Sequence, residues 1–371
     1  MKILVTGANG FVGKNLIAEL KNRSCNDIFE YDIDTPPELL DKYCHECEFV
    51  IHLAGVNRPK DNSEFMSGNF GFTSKLLDTL EKYNNKSPIL MSSSIQAMLD
   101  NPYGQSKRAG ENLIFDYGRK NNVDVFVYRF PNLFGKWCRP NYNSVIATFC
   151  HNIAHDLPIT VSDRNHTLNL VYIDDVVNEI INAVNNKANK HSDGFCYVDT
   201  VHTASLGEIV DLIYSFKESR KTLLLPDMPD GSFAKKLYST YLSYLAEDNF
   251  SYPLTVHADE RGSFTEIIRT ISSGQVSVNI SKPHIVKGNH WHNTKNEKFI
   301  VVSGKGVIRF RKPDNDNIIE YFVSGDNPEV VDIPVGYTHN IENLGDTDMV
   351  TIMWCNECYN PDKPDTYYLE V

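Results

Sequence analysis

Gly7, Gly10 and Gly13 recur every third residue, directly behind the apolar run Lys2-Ile3-Leu4-Val5-Thr6 and at the head of the helical stretch Lys14–Leu20. No other feature constrains the fold of this chain as tightly. Glycines so placed let a strand turn sharply into a helix, let the backbone approach a bound pyrophosphate, and let helix and strand pack closely, while the helix N-terminus supplies positive potential. The pattern continues downstream. Strand-like runs at Phe49–Leu53, Ile89–Met91 and Val125–Tyr128 are separated by helical stretches such as Phe65–Tyr83 and Tyr103–Lys120. That alternation predicts a parallel sheet covered by helices on both faces.

A length of 371 residues predicts about two domains. Beyond Leu206 the pattern turns helical, at Leu206–Lys217 and Phe233–Leu245, and the aperiodic stretch 246–253, ending in Pro253, marks a boundary. From Leu254 onward short β-rich runs take over: Phe299–Val302, Val307–Phe310, Ile319–Val323, Val330–Ile333 and Val350–Met353, separated by Gly, Asp, Asn and Pro turns. These predict a small antiparallel barrel or jelly roll.

Net charge is -12 and no cluster of Lys and Arg stands out, which argues against a nucleic-acid partner. No apolar run is long enough to span a membrane. The first strand begins directly after Met1, leaving no room for a secretory signal, so a cytoplasmic location is expected. The eight cysteines, including the pairs Cys44/Cys47 and Cys355/Cys358, are then expected to be reduced thiols.

Tyr103 and Lys107 stand four apart, and residues i and i+4 share one helix face, so an ammonium there can sit beside a phenol and favour its ionised form. Ser92-Ser93-Ser94 closes the preceding strand. The GxxGxxG turn, His52-Leu53-Ala54-Gly55, the SSS segment and the YxxxK pair together resemble the extended, sugar-nucleotide-modifying branch of the short-chain dehydrogenase/reductase superfamily. The resemblance covers Met1 to about Leu245. It implies that Tyr103 protonates a substrate carbonyl oxygen, that Ser94 (or its neighbour Ser93) hydrogen-bonds that oxygen, and that Lys107 also holds the nicotinamide ribose. It further implies that Gly7, Gly10, Phe11, Gly13, Leu53, Ala54 and Gly55 contact the cofactor. Ser94 and Tyr103 are only nine positions apart, closer than in most members of the branch. Asn132, Asn143 and Ser144 are candidates for sugar-nucleotide contacts, and Arg164 for the diphosphate. Asp32, after the strand Asp27–Tyr31, would accept a hydrogen bond from a free ribose 2′-hydroxyl and repel a 2′-phosphate, which favours NADH.

In the C-terminal part, His290 and His292 flank Trp291, followed by Glu297 and, later, His339. Strand residues i and i+2 point the same way, so both imidazoles of the HxH unit can meet ligands from other strands. Three imidazoles and a carboxylate suit zinc, iron, manganese or nickel. The spacing HxHxxxxE, a glycine at Gly304 and then PxGxxH resembles the cupin superfamily. Asp259-Glu260-Arg261-Gly262 and Glu266 resemble the DxRGxxxE segment of the dTDP-sugar 3,5-epimerases, in which the arginine contacts the nucleotide side of the substrate. His290 falls where those enzymes keep their base, but a metal ligand is poorly available as a base. Lys298 is therefore the expected catalytic group, with His284, Glu266 and Tyr337 as alternates.

The expected fold is an α/β Rossmann-type doubly wound parallel-sheet domain, residues 1–246, followed by an all-β cupin jelly-roll barrel, residues 247–371. This order of modules resembles the bifunctional CapF-type enzymes of capsular polysaccharide synthesis. The resemblance implies a UDP-sugar substrate, NADP(H), zinc, and a homodimer or larger oligomer. It implies C3 epimerisation of a UDP-2-acetamido-2,6-dideoxy-4-keto-hexose in the cupin, then reduction of the C4 ketone to the L-talose derivative. Two rivals are a reductase whose cupin is only a structural or oligomerisation module, and a cupin that is an oxygen-consuming iron enzyme.

Overall fold

The apolar runs of the N-terminal part form five parallel strands: β1 (Ile3–Thr6), β2 (Ile28–Tyr31), β3 (Phe49–His52), β4 (Ile89–Ser94) and β5 (Val125–Phe130). The computed structural model describes all 371 residues. The strands lie in the order β2-β1-β3-β4-β5. β1 and β3 are buried along their whole length, as continuous apolar runs should be when helices cover both faces of a sheet. Ile3, Val5, Phe49 and Ile51 pack on one side with the helix Ile173–Val184; Leu4 and Val50 pack on the other with Leu76, Leu80 and Ile114. From β1 the chain crosses one way to β2 and then the other way to β3. That reversal opens a crevice at the carboxyl ends of β1 and β3, the place where doubly wound sheets bind ligands.

The helical stretch expected over Phe65–Tyr83 is interrupted. A wide π turn, Met66–Gly71, precedes the helix Phe72–Lys82, and it carries the buried Asn69. A second small sheet, β6 (Asn132–Phe134), β7 (Thr167–Tyr172) and β8 (His202–Ser205), follows in that order. No helix is long and apolar enough to cross a membrane.

The chain divides into two units, Met1–Ile213 with Gly231–Leu245, and Tyr214–Asp230 with Ala246–Val371. It thus crosses between units three times, where a single crossing near 246 was expected. The reason is β9 (Leu224–Leu225), which pairs in parallel with a strand of the second unit, β11. That unit otherwise comprises β10 (His257–Asp259), β11 (Gly262–Thr270), β12 (Gly274–Ser281), β13 (Val286–Trp291), β14 (Glu297–Ser303), β15 (Lys305–Arg311), β16 (Ile319–Ser324), β17 (Val330–Ile333), β18 (Thr338–Asn343), β19 (Met349–Cys355) and β20 (Tyr367–Tyr368). Its two sheets, β10-β11-β12-β19-β14-β17 and β16-β15-β18-β13-β20, enclose Phe299, Val301, Ile308, Phe310, Val331 and Ile341. This is the expected jelly-roll architecture.

Candidate active site and metal centre

The glycine turn lines a cleft at the carboxyl ends of β1, β3 and β4. Gly7 has φ +71, and a Cβ there would lie 2.7 Å from Ala54 N; a Cβ on Gly13 would lie 2.3 Å from Gly7 O. Only glycine fits either place. His52, wholly buried and held neutral because burial pulls its pKa down to about 3, joins Thr6 Oγ1 (2.7 Å) to Thr73 Oγ1 (2.9 Å) and so pins the tips of β1 and β3 together. Phe11, Leu53, Ala54 and Gly55 also line the cleft.

Asp32 lies on this cleft at the end of β2, where its Oδ2 accepts from Asn9 N at 2.7 Å. A carboxylate in that position repels a 2′-phosphate. Replacing it, as in Asp32→Ser, is expected to raise the NADPH-to-NADH ratio of kcat/KM by about tenfold or more, the scale of one like-charge contact. Initial rates with the two nucleotides check this.

Tyr103 sits in the first turn of the helix Pro102–Asn121, which begins with proline and is capped by Asn101 accepting from Gly104 N at 2.8 Å. Its hydroxyl donates to Asn57 Oδ1 at 3.0 Å. Burial pushes the phenol above its ordinary pKa, and a hydrogen bond with Ser94 pulls partly back. The expectation that an adjacent ammonium would ionise this phenol is therefore corrected: desolvation wins, and Tyr103 is kept as an acid. That is the form a ketone reduction requires. Ser93 is turned away, donating to Glu111 Oε1 at 2.6 Å, where Arg129 also binds, which leaves Ser94 as the hydroxyl facing Tyr103.

Lys107 is buried beneath the cleft, Nζ 3.4 Å from Ser92 O, and burial pulls its pKa to about 8 against the opposing charge of Glu111. Above pH 8 it loses its charge while Tyr103 keeps its proton. The sign follows: kcat/KM for reduction is expected to fall as pH rises through about 8, and a pH profile of nicotinamide oxidation reads this limb directly.

Asn132, Asn143 and Ser144 line the same cleft, although Ser144 also caps the helix Val145–Ala154 through Ala147 N at 3.3 Å. Arg164 does not. Its guanidinium reaches both carboxylate oxygens of Asp211, at 2.7 and 2.8 Å, and is not among the lining residues. The arginine on the cleft is Arg139, against the Tyr142 ring. Sequence reasoning missed it, along with Asn57 and Asn69. Asn69 accepts from Val56 N at 2.9 Å and donates to Ser106 Oγ at 2.9 Å, and its Oδ1, like Lys107 Nζ, would lie 2.9 Å from a Cβ on Gly55. Nothing local in the sequence marks Asn57 or Asn69; the signal for Arg139 was its place five residues beyond the end of β6.

In the second unit, His290, His292, Glu297 and His339 converge, each offering a ligand atom within 4.8 Å of the others. Glu297 Oε2 is 3.4 Å from His292 Nε2 and 3.5 Å from His339 Nε2. Tetrahedral coordination with bonds of about 2.1 Å has edges of about 3.4 Å, so these spacings fit a four-coordinate divalent ion. His339 is buried, with no hydrogen-bond partner for Nδ1 in the protein and only the Glu297 carboxylate, at 3.5 Å, facing Nε2, a cost an ion would relieve. Burial raises the Glu297 carboxyl, yet hydrogen bonds from His292 and His339 outweigh it and hold the group well below the usual range; burial keeps His290 neutral, with a pKa near 4. His292 Nδ1 bonds the carbonyl of Asp365, which fixes Nε2 as the ligand atom. The Asp365 carboxylate in turn accepts from the backbone of Asn293, Thr294 and Lys295.

Lys298 does not face this centre. Side chains alternate along β14, so with Glu297 and Phe299 inside, Lys298 points outward, paired with Asp332 of β17. His284 is exposed, 3.5 Å from Asp346. Arg261 is exposed and bonded to Asp259 at the turn between β10 and β11. Glu266 shares a face of β11 and β12 with Ser277.

Fold and sites together define a nicotinamide-binding Rossmann reductase unit and a jelly-roll unit whose His/Glu cluster could hold a metal ion. Residues 3–195 match the NAD dependent epimerase/dehydratase family and residues 257–367 match the polysaccharide biosynthesis C-terminal domain. The chain is 41% identical, over 371 residues spanning 100% of it and 99% of the relative, to UDP-2-acetamido-2,6-beta-L-arabino-hexul-4-ose reductase of Pseudomonas aeruginosa. It superposes on the capsular polysaccharide assembling protein CapF of Staphylococcus aureus with TM-score 0.94 and 58% identity, both chains covered in full. A UDP-glucuronic acid 4-epimerase of Bacillus cereus, 19% identical with TM-score 0.53 over 66% of this chain and 98% of its own, shares the Rossmann fold. The chain belongs to the NAD dependent epimerase/dehydratase family, in the form that carries the polysaccharide biosynthesis C-terminal domain.

Proposed function

We propose that this chain is a bifunctional UDP-sugar enzyme of capsular polysaccharide precursor synthesis. Its barrel epimerises C3 of a UDP-2-acetamido-2,6-dideoxy-4-keto-hexose, and its Rossmann unit then reduces the C4 ketone with NAD(P)H to the L-talose derivative. One observation carries the reading: Tyr103, Ser94 and Lys107 meet beside the glycine turn in one cleft, in a chain that matches a 4-ketose reductase from end to end.

A nicotinamide held at the glycine turn would supply hydride to sugar C4, and as the C=O pair moves to oxygen the Tyr103 phenol protonates it. Ser94 donates to the same oxygen as charge develops there. Lys107, which lines the same cleft, would hold the nicotinamide ribose and supplies positive charge near the phenolate that Tyr103 becomes. Asn132, Asn143, Ser144 and Arg139 bind the sugar nucleotide, with Arg139 taking the diphosphate role expected of Arg164.

The order of steps follows from carbonyl chemistry. A ketone at C4 acidifies the C3 hydrogen by delocalising the carbanion as an enolate, and reduction removes that ketone. Epimerisation therefore comes first. His290, His292, Glu297 and His339 would hold zinc, or another divalent ion, which when bound supplies Lewis acidity toward a substrate oxygen. Because these ligands come from β13, β14 and β18 and the residue after β13, an ion held there would also tie those strands together.

A two-stage incubation tests the reading. The 4-keto sugar nucleotide is held with enzyme in D2O without nicotinamide, and NADPH is added afterwards. Deuterium at C3 in the first stage and a C4 alcohol only in the second are expected. An alcohol formed with C3 never exchanging would leave the barrel a structural module.

A further inference from the structure

The barrel carries a polar inner stripe that the metal ligands do not account for. Along β12, Gln275, Ser277, Asn279 and Ser281 alternate inward and are buried. Pairing sets Glu266 beside Ser277 and Thr351 beside Asn279, on the same face. Thr351 Oγ1 and Arg269 Nε are buried without a partner. Unsatisfied polar groups in a barrel core are costly, and a polar ligand relieves that cost.

Lys287 joins this stripe because of one backbone irregularity. Lys287 lies opposite Ile341 and His290 opposite His339, while the register of β13 shifts between Gly288, opposite Asn340, and His290. The extra residue is accommodated by left-handed backbone at Gly288 (φ 107) and Asn289 (φ 59), with Asn289 Oδ1 accepting from Asn340 Nδ2 at 2.9 Å. Residues three apart on a regular strand face opposite ways; the bulge restores Lys287 to the side of His290. Cross-strand partners share a face, and Ile341 belongs to the barrel core, so Lys287 points inward. Its position is two residues along β18 from the metal ligands, about 7 Å.

The Lys287 amine is also oriented. Nζ donates to Asn279 Oδ1 and to Ile280 O, both at 2.8 Å, on the opposite sheet. A neutral amine has two N–H bonds and one lone pair. With both N–H groups engaged, the lone pair is the single position left for proton exchange. Burial lowers the pKa of the group, against the charge of Asp259 and with that of Arg261.

From this geometry we infer that Lys287 is the base that takes the C3 proton of the 4-keto sugar in the barrel, the role that parity denies to Lys298. The inference rests on the epimerase reading above. The amine lone pair accepts the C3 hydrogen as a proton, the C–H electrons form the C3–C4 double bond, and the carbonyl pair moves to O4. Water delivers a proton to the opposite face of C3, the ketone re-forms with C3 inverted, and the ammonium returns its proton to solvent.

The test uses the full chain, UDP-2-acetamido-2,6-dideoxy-4-keto-hexose and D2O without nicotinamide, with metal content measured in parallel. Lys287→Met is expected to slow deuterium entry at C3 by about 100-fold or more with metal content unchanged. Lys287→Arg keeps the cation and the reach to Asn279 but cannot give up its proton, so it too is expected to lose exchange while retaining metal. Exchange at the wild-type rate in either variant overturns the assignment. Absence of exchange in the wild-type enzyme would instead overturn the epimerase reading beneath it.

Discussion

Tyr103→Phe is expected to lower kcat for C4 reduction by about 1000-fold, with KM for the sugar nucleotide little changed and C3 exchange intact. The phenol is the group positioned to protonate the carbonyl oxygen, and burial keeps it in its acid form. A general acid of this kind contributes about 10²–10⁴ in rate. Its interaction with the oxygen strengthens only as charge develops, so the loss falls on kcat rather than on binding. Phenylalanine keeps the ring, including its contact with Phe65, and removes only the hydroxyl, so the fold is spared. Nicotinamide absorbance follows reduction, and proton NMR in D2O follows C3.

The reverse pattern is expected for His339→Ala. His339 is buried, its Nδ1 has no partner in the protein and its Nε2 faces only the Glu297 carboxylate of the same cluster, so its polar role there is that of a ligand. Its removal leaves the Glu297 carboxylate buried among two histidines, with an open edge to the cluster. Bound metal is expected to fall from about one equivalent to near zero, and C3 exchange to fall with it, because losing one of four ligands weakens such a site steeply. Reduction of a ketone already inverted at C3 is expected to proceed as in wild type. Elemental analysis and the two activity assays read this together; loss of both activities in either variant would contradict separate sites.

What the sequence disclosed was whatever depends on neighbours along the chain. The turn at Gly7–Gly13, the helix face shared by Tyr103 and Lys107, and the HxH unit at 290–292 are short-range patterns, and each was readable. Strands with polar inner faces were not. β12 does alternate with a period of two, yet Ser277, Asn279 and Ser281 are its buried side and Val276, Val278 and Ile280 the less buried one, so polarity pointed to the wrong face. Arg164 was misjudged because its partner, Asp211, lies 47 positions away on another element. Lys298 was a different kind of error. The same period of two that places Glu297 inside sends Lys298 outside, so the correction was already implicit in the pattern. Lys287 is the opposite case, since only the bulge at Gly288 and Asn289 brings it inward, and a bulge is invisible until the strands are paired.

The central claim is that a nicotinamide bound at the glycine turn delivers hydride to a sugar ketone while Tyr103 supplies the proton. The most direct measurement uses reduced nicotinamide labelled with deuterium at the transferred position, together with the 4-keto sugar nucleotide in ordinary water. One deuterium on sugar C4 for each nicotinamide oxidised is the result expected. Oxidation with no label at C4, or a protein that binds neither dinucleotide, would contradict it.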